Sequence, residues 1–127
     1  MNTELLNKFE ALPTPFYYYD MELLNETLDF AKREADKYNF HLHYAVKANF
    51  NEPILKCISE KGFGADCVSG REVETAVKSG FKPSEVVFAG VGKSDEEILL
   101  GLKHDIFCFN VESVQELEVI QELATKT

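Results

Sequence analysis

The sequence has few cysteines, few basic residues and no long apolar run, and each shortage excludes a class of protein. Cys57, Cys67 and Cys108 are odd in number and lack C-x-x-C spacing, which argues against a disulfide framework and for a reducing compartment. Lysine and arginine total 13 against 22 acidic residues, and the net charge of −9 disfavours nucleic-acid binding. No apolar run approaches the roughly 20 residues of a membrane span. The N-terminal MNTELLNKFEAL does not have the pattern of a secretory signal, so a cytoplasmic protein is expected.

Four short apolar runs alternate with helical patterns along most of the chain. The runs are about Leu42 to Lys47, Ala65 to Val68, Val86 to Ala89 and Ile106 to Val111, and they start about 20 residues apart. Apolar residues before, between and after these runs recur at the spacing of one helix face. They are Leu24, Leu28, Ala31, Ala35, Ile54, Leu55, Ile58, Val73, Ala76, Val77, Ile98, Leu99, Leu102, Leu117, Ile120 and Ala124.

Strands that alternate with short helices predict a parallel α/β sheet. Two architectures fit, a doubly wound open sheet or part of a (β/α)8 barrel, and the spacing does not separate them. Polar residues gather near the C-terminal ends of the runs, among them Lys47, Asn49, Asp66, Lys93 and Asn110. Barrel enzymes carry their chemistry at that rim, although open sheets also bind ligands there.

The predicted helix ends carry recognisable caps. Serine is followed three residues later by glutamate at Ser69, Ser94 and Ser113, which predicts three capping boxes. Asn51 is expected to cap the helix that contains Pro53. Gly62-Phe63 and Gly80-Phe81 are expected to end two helices, with the glycine in the left-handed conformation and the phenylalanine packed on the last turn.

Lys47, in the stretch YAVKAN (44–49), is the main candidate for chemistry. Lysine is rarely buried without a partner, so it either reaches water or has a chemical role. If neighbours such as Tyr44 and Val46 desolvate it, the amine loses its charge more readily and becomes a nucleophile. A neutral amine condenses with aldehydes, and pyridoxal phosphate is the obvious one because its ring accepts electrons.

Other polar residues have weaker signals. Asp66 lies on the strand beside Lys47, where it either pairs with the lysine or bonds to backbone amides at the rim. Gly90-Val-Gly-Lys-Ser94 is not a Walker A motif, because Val87 stands where the first glycine is required. Its glycines predict a tight turn and Lys93 a solvated loop cation, with a weak anion-binding role left open. His41 and His43 are interpreted as strand-edge residues, and no metal site is expected.

Five stretches together resemble the N-terminal part of the diaminopimelate decarboxylases, a branch of the fold-type III pyridoxal-phosphate decarboxylases. They are TPFYYYD (14–20), YAVKAN (44–49), GFGADCVSGREVETA (62–76), VVFAGVGKSDEEI (86–98) and FNVES (109–113), in the family's order. YAVKAN points to the wider superfamily, and the third and fourth stretches favour the diaminopimelate branch.

The resemblance implies a fold, a cofactor and a reaction. The fold would be an incomplete (β/α)8 TIM-type barrel of about four βα units, preceded by one stray strand and a helix. Residues 21–127 would be the partial pyridoxal-phosphate-binding barrel, and residues 1–20 would include a strand that joins a separate β-domain. Lys47 matches the cofactor lysine and Asp66 the acid on the next strand. The parent would be a homodimer that decarboxylates meso-2,6-diaminopimelate to L-lysine.

The resemblance also implies that the chain is an N-terminal fragment. Full family members are several times longer, so the fragment is expected to be inactive alone and marginally stable or self-associating, with unpaired sheet edges. Two alternatives stay open: a non-catalytic truncated α/β module, and a decarboxylase of another basic amino acid, namely ornithine, arginine or carboxynorspermidine.

Overall fold

The structure, a computed structural model, describes residues 3–127 as six helices around four short strands. The helices are α1 (Thr3–Glu10), α2 (Met21–Asp36), α3 (Glu52–Glu60), α4 (Gly70–Lys78), α5 (Asp95–His104) and α6 (Val114–Ala124). The strands are β1 (His43–Ala45), β2 (Gly64–Cys67), β3 (Val86–Phe88) and β4 (Cys108–Phe109). Two 3-10 turns cover Val46–Ala48 and Pro83–Glu85. Within residues 3–127, no helix is both long and apolar enough to cross a membrane.

The four strands form one parallel sheet in the order β1-β2-β3-β4. Ala45, Asp66, Val87 and Cys108 lie side by side in register across it. A doubly wound sheet reverses its strand order at a switch point, whereas consecutive strands of a (β/α)8 barrel follow one another without reversal. The strand order therefore favours the partial barrel.

The core lies between the sheet and the helices. Alternate strand residues point to opposite faces, and Val46, Ala65, Cys67, Val86 and Phe88 are fully buried on the helix side. The predicted faces of α3 and α4 are buried as expected. The outer helices differ. Leu99 and Leu117 are exposed by 38% and 54%, because α5 buries only Ile98 and Gly101 and α6 only Ile120.

The helix caps follow the sequence in part. Ser94 and Glu97 form a reciprocal capping box at α5. Ser69 and Ser113 accept the expected amide hydrogen bonds, but the carboxylates of Glu72 and Glu116 accept from the residue before the serine. The prediction of three capping boxes is thus correct for α5. At α4 and α6 the glutamate carboxylate accepts from an amide one residue earlier than predicted.

The predicted cap at the start of α3 is wrong, whereas the predicted glycine ends of α3 and α4 are confirmed. Asn51 takes the N-cap position of α3, but its side chain makes no capping hydrogen bond. Its own amide donates instead to Asn49 Oδ1. Gly62 and Gly80 have positive φ angles of 77° and 101°, as predicted for the ends of α3 and α4.

The N-terminal segment was expected to contain a strand, and the structure shows none in TPFYYYD (14–20). A strand needs a neighbour for its backbone hydrogen bonds, and within residues 3–127 the sheet consists of β1 to β4 only. The helix α1 precedes this segment. Residues 1 and 2 of the expected 1–20 segment lie outside the described residues.

Candidate active site

Lys47 lies on a 3-10 turn directly after β1, at the carboxyl edge of the sheet. It lines an open cleft with Tyr17, Tyr19, Asn49 and Phe50. The cleft also includes Ala48 and Asn51. The prediction that Lys47 lies near the C-terminal end of the first strand is therefore confirmed.

The expected shelter of Lys47 is wrong for this structure. Lys47 is exposed, while Val46 is fully buried in the core. Tyr44 packs against the same core, and neither residue keeps the Lys47 side chain from being exposed. Within residues 3–127, no hydrogen bond or ion pair engages the Lys47 ammonium. The Lys47 amino group therefore has no partner in the described residues.

Asn49 connects the Lys47 turn to three other parts of the chain. Its Nδ2 donates to the Tyr19 hydroxyl at 3.2 Å, and its Oδ1 accepts from the Asn51 amide at 2.9 Å. Its backbone carbonyl accepts from the Tyr44 hydroxyl at 3.2 Å. Burial raises the pKa of Tyr44, so this hydroxyl stays protonated and remains a donor. The turn that carries Lys47 is thus closed by hydrogen bonds on its C-terminal side.

The N-terminal segment forms one wall of the cleft. Phe16 and Tyr18 pack on Phe9 of α1, with ring centroids 5.4 and 5.0 Å away. Tyr17 and Tyr19 stack on each other at 6.4 Å with an interplanar angle of 18°. Even-numbered rings therefore anchor the segment to α1, and odd-numbered rings face the cleft. The sequence argument did not assign Tyr17 or Tyr19 to the site; the alternation within FYYYD is the signal that could have identified them.

Asp66 lies on the face of the sheet that the helices do not cover. That face is lined by His43, Asp66, Val87, Ala89, Phe107, Cys108 and Asn110. Asp66 Oδ1 is buried without a hydrogen-bond partner in the described residues. Lys47 and Asp66 line separate clefts and form no ion pair here. The two partners predicted for Asp66 were Lys47 and backbone amides, and neither bonds to this Oδ1 atom in the described residues.

His43 shares this uncovered face and its Nε2 is also buried without a partner in residues 3–127. Burial, followed by the neighbouring His41, lowers the pKa of His43, while the Asp66 carboxylate opposes that shift. The imidazole is therefore predominantly neutral near pH 7. His43 is a half-buried residue of β1, an outer strand of the sheet, whereas His41 precedes that strand and is exposed.

Lys93 is not the solvated loop cation that the sequence suggested. Its side chain is 1% exposed, and its ammonium contacts Glu116 Oε1 at 2.7 Å. It also donates to the carbonyls of Gly90 and Asn110 at 2.7 and 2.9 Å, and lies 5.5 Å from the Phe88 ring centroid. Gly90 and Gly92 have positive φ angles of 96° and 74°, which suit the tight turn that the sequence predicts. Lys93 therefore joins the ends of β3 and β4 to α6.

Cys67 is the buried apolar thiol among the three cysteines, whereas Cys57 and Cys108 are half-buried and the Cys57 thiol donates to Asn25 Oδ1 at 3.5 Å. Cys67 is fully buried, and burial raises the pKa of its thiol to about 12. All three thiols are free. Over residues 3–127 no group of three or more metal-ligating side chains comes together.

Comparisons with known proteins agree with this arrangement. A family model described as pyridoxal-dependent decarboxylase, pyridoxal binding domain, matches residues 22–127. The chain is 58% identical over 120 residues to the diaminopimelate decarboxylase of Bacteroides thetaiotaomicron, covering 94% of this chain and 31% of that protein. The chain therefore spans about a third of the length of the curated relatives that it matches.

Solved structures resemble the same region. The crystal structure of diaminopimelate decarboxylase from Helicobacter pylori, complexed with L-lysine, matches with a TM-score of 0.87 and 43% identity, over 98% of this chain and 31% of that one. Diaminopimelate decarboxylase from M. jannaschii, also in complex with L-lysine, matches with a TM-score of 0.89 and 34% identity, over 96% of this chain and 30% of that one. With a partial parallel barrel and a match to the pyridoxal binding domain over residues 22–127, the chain belongs to the pyridoxal-dependent decarboxylases.

Proposed function

We propose that residues 1–127 form the amino-terminal, cofactor-lysine part of a diaminopimelate decarboxylase. The whole protein would use pyridoxal phosphate to decarboxylate meso-2,6-diaminopimelate to L-lysine. The observation that carries the proposal is the free amine of Lys47, which lies on a fixed turn at the carboxyl edge of a parallel sheet. The 58% identity to a diaminopimelate decarboxylase supports this substrate over ornithine, arginine or carboxynorspermidine.

The described residues fit pyridoxal phosphate. When bound, this cofactor supplies an aldehyde that condenses with a primary amine and a ring that accepts the electron pair left behind as carbon dioxide departs. Lys47 offers the amine without an internal partner that must first be displaced. Asp66 offers a buried oxygen without a donor, a position that suits a cationic or hydrogen-bonding group. In this proposal Lys47 binds the cofactor and Asp66 binds a donor beside it.

The proposal extends to domains and partners. Residues 21–127 would be the partial barrel, and residues 1–20 would join a β-domain formed elsewhere in the protein. The whole protein would be a cytoplasmic homodimer that acts on a small amino acid. The coverage of about a third of each relative supports a larger parent protein.

A non-catalytic α/β module is the second candidate. It is favoured by the exposure of Lys47, since a lysine with a solvated ammonium needs no chemical role. The two candidates differ in one measurable property. Only a cofactor lysine reacts with pyridoxal phosphate in preference to other exposed lysines.

Reductive trapping tests the cofactor assignment on the chain itself. The protein is incubated with limiting pyridoxal phosphate, reduced with borohydride to fix the lysine–pyridoxal bond, digested and mapped by mass spectrometry. Labelling is expected at Lys47 ahead of Lys56, an exposed lysine of α3 that forms no ion pair in residues 3–127. Lys47→Arg keeps the charge and should abolish the selective label, while Lys56→Arg should leave it unchanged. Equal labelling of the two lysines would refute the cofactor assignment.

A chimeric enzyme tests the substrate. The 120 matched residues of the B. thetaiotaomicron diaminopimelate decarboxylase are replaced by those of this chain. Release of carbon dioxide from meso-diaminopimelate is expected, together with lower activity on ornithine, arginine and carboxynorspermidine. Lys47→Arg in the chimera should abolish it. A chimera that prefers another amino acid would overturn the substrate, and an active Lys47→Arg chimera would overturn the role of the lysine.

A further inference from the structure

The N-terminal segment contributes to the cleft although it lies outside the family match. The pyridoxal binding domain model begins at residue 22, yet Tyr17 and Tyr19 line the same cleft as Lys47. Phe16 and Tyr18 hold this segment on α1 through Phe9. The wall is therefore anchored independently of the barrel.

One hydrogen bond connects this wall to the barrel rim. Asn49 Nδ2 donates to the Tyr19 hydroxyl at 3.2 Å, across 30 positions of sequence. The same side chain accepts from the Asn51 amide at the start of α3, and the Asn49 carbonyl accepts from Tyr44 on β1. Three separate elements thus converge on one residue, two positions after Lys47.

These bonds determine how much freedom the Lys47 backbone has. Val46, on one side of Lys47, is fully buried and fixes the entry to the turn. Asn49, on the other side, fixes the exit. The Lys47 side chain between them has no partner in residues 3–127. Because the backbone is held at both ends, the amine searches only its own rotamers, and ordering it for reaction costs less conformational entropy.

We propose that Asn49 is a positioning residue for Lys47, and that it acts by joining the Tyr19 hydroxyl of the N-terminal segment to the turn that carries the amine. This inference rests on the proposed function, since positioning matters only if Lys47 reacts with an aldehyde. Tyr19 thereby becomes part of the site.

The test measures reductive trapping by pyridoxal phosphate as the ratio of label at Lys47 to label at Lys56 in the same molecules. Tyr19→Phe removes only the hydroxyl, and the ratio should fall about two- to tenfold, the range expected for losing one hydrogen bond. Tyr38→Phe is the matched control, because Tyr38 does not line the cleft and its hydroxyl makes no hydrogen bond in residues 3–127. That variant should keep the wild-type ratio.

Rescue at Asn49 separates positioning from a general loss of structure. Asn49→Ala should lower the ratio at least as far as Tyr19→Phe. Asn49→Asp should restore it, because the carboxylate still accepts from Asn51 and now accepts from the Tyr19 hydroxyl. The rescue should disappear in Asn49→Asp combined with Tyr19→Phe.

The possible results are distinct. Selective labelling of Lys47 that is unchanged in Tyr19→Phe and Asn49→Ala would overturn the positioning role and leave the proposed function standing. A drop of equal size in Tyr38→Phe would also overturn it, because the loss would then not depend on the hydrogen bond between Asn49 and Tyr19. Unselective labelling in the wild-type chain would overturn the proposed function and the positioning role together.

Discussion

Replacing Lys93 with methionine removes a buried ammonium while keeping most of the apolar stem of the side chain. The ammonium uses its three N–H donors on Gly90, Asn110 and Glu116, and the side chain is 1% exposed. The substitution leaves two carbonyls and one carboxylate oxygen without that donor. Glu116 Oε2 keeps its bond from the Glu112 amide, so the carboxylate is not left wholly unpaired.

The expected loss follows from the burial of the two partners. Removing one partner of a buried ion pair costs roughly 3–5 kcal/mol when the remaining charge stays buried. The Glu116 side chain is 12% exposed, so water compensates part of that cost. Hydrogen bonds to charged groups contribute about 1.5–3 kcal/mol. We therefore expect Lys93→Met to lower the free energy of unfolding by about 2–4 kcal/mol.

Urea denaturation followed by circular dichroism measures this loss. With a slope of about 2 kcal/mol per molar urea, the midpoint should fall by about 1–2 M. Lys103→Met is the matched control, because Lys103 is exposed on α5 and forms no ion pair in residues 3–127, and it should change stability by less than about 0.5 kcal/mol. Adding Glu116→Gln to Lys93→Met should recover part of the loss, since no charge is then left unpaired. Equal midpoints for Lys93→Met and Lys103→Met would refute the reasoning.

Three further predictions concern pH, thiol reactivity and packing. The hydrogen bond from the Lys93 ammonium lowers the pKa of Glu116. The ion pair therefore stabilises the fold above the unfolded pKa of about 4.3, and this stabilisation is lost as the pH falls through the lower folded pKa. Over that pH window the urea midpoint should fall more in the wild type than in Glu116→Gln. Cys67, buried with a thiol pKa of about 12, should resist iodoacetamide at neutral pH until the chain is unfolded, as read by mass spectrometry of its peptide. Gly64→Ala should lower the free energy of unfolding by about 1–3 kcal/mol, because the added Cβ would overlap the His43 ring and lie 2.6 Å from the Glu85 carbonyl oxygen; a urea midpoint measures it.

Each of these predictions has a contrary result. Parallel pH profiles for the wild type and Glu116→Gln would show that the carboxylate does not contribute through its ion pair. Rapid alkylation of Cys67 in the folded chain would contradict the burial of its thiol. An unchanged urea midpoint in Gly64→Ala would contradict the close approach of His43 and Glu85 to the glycine.

The repeating part of the fold could be predicted from the sequence because it depends on local pattern. Period and length distinguish short buried strands from helices, and the four runs correspond to β1 through β4. The glycine ends of α3 and α4 were also predictable, since Gly62 and Gly80 meet a backbone requirement that other residues fill poorly.

The environment of individual lysines could not be predicted, because it depends on contacts distant in sequence. Lys93 is buried by Glu116 and Asn110, which follow it by 23 and 17 residues. Lys47 is exposed because its neighbour Val46 takes the buried position. A lysine in a short motif therefore shows where an amine lies along the chain but not whether it is solvated.

The N-terminal segment shows a second limit. TPFYYYD has strong β propensity, yet propensity alone does not form a strand without a neighbouring one. Its role at the cleft depends on Tyr19 meeting Asn49, a contact 30 residues apart. The family resemblance singled out the segment, and only the tertiary structure brought it to Lys47.

The identity of the lysine that reacts with pyridoxal phosphate tests the central claim most directly. After borohydride reduction of the wild-type chain with limiting cofactor, peptide mapping should find the pyridoxyl group predominantly on Lys47. A label distributed over the exposed lysines in proportion to their accessibility would contradict it.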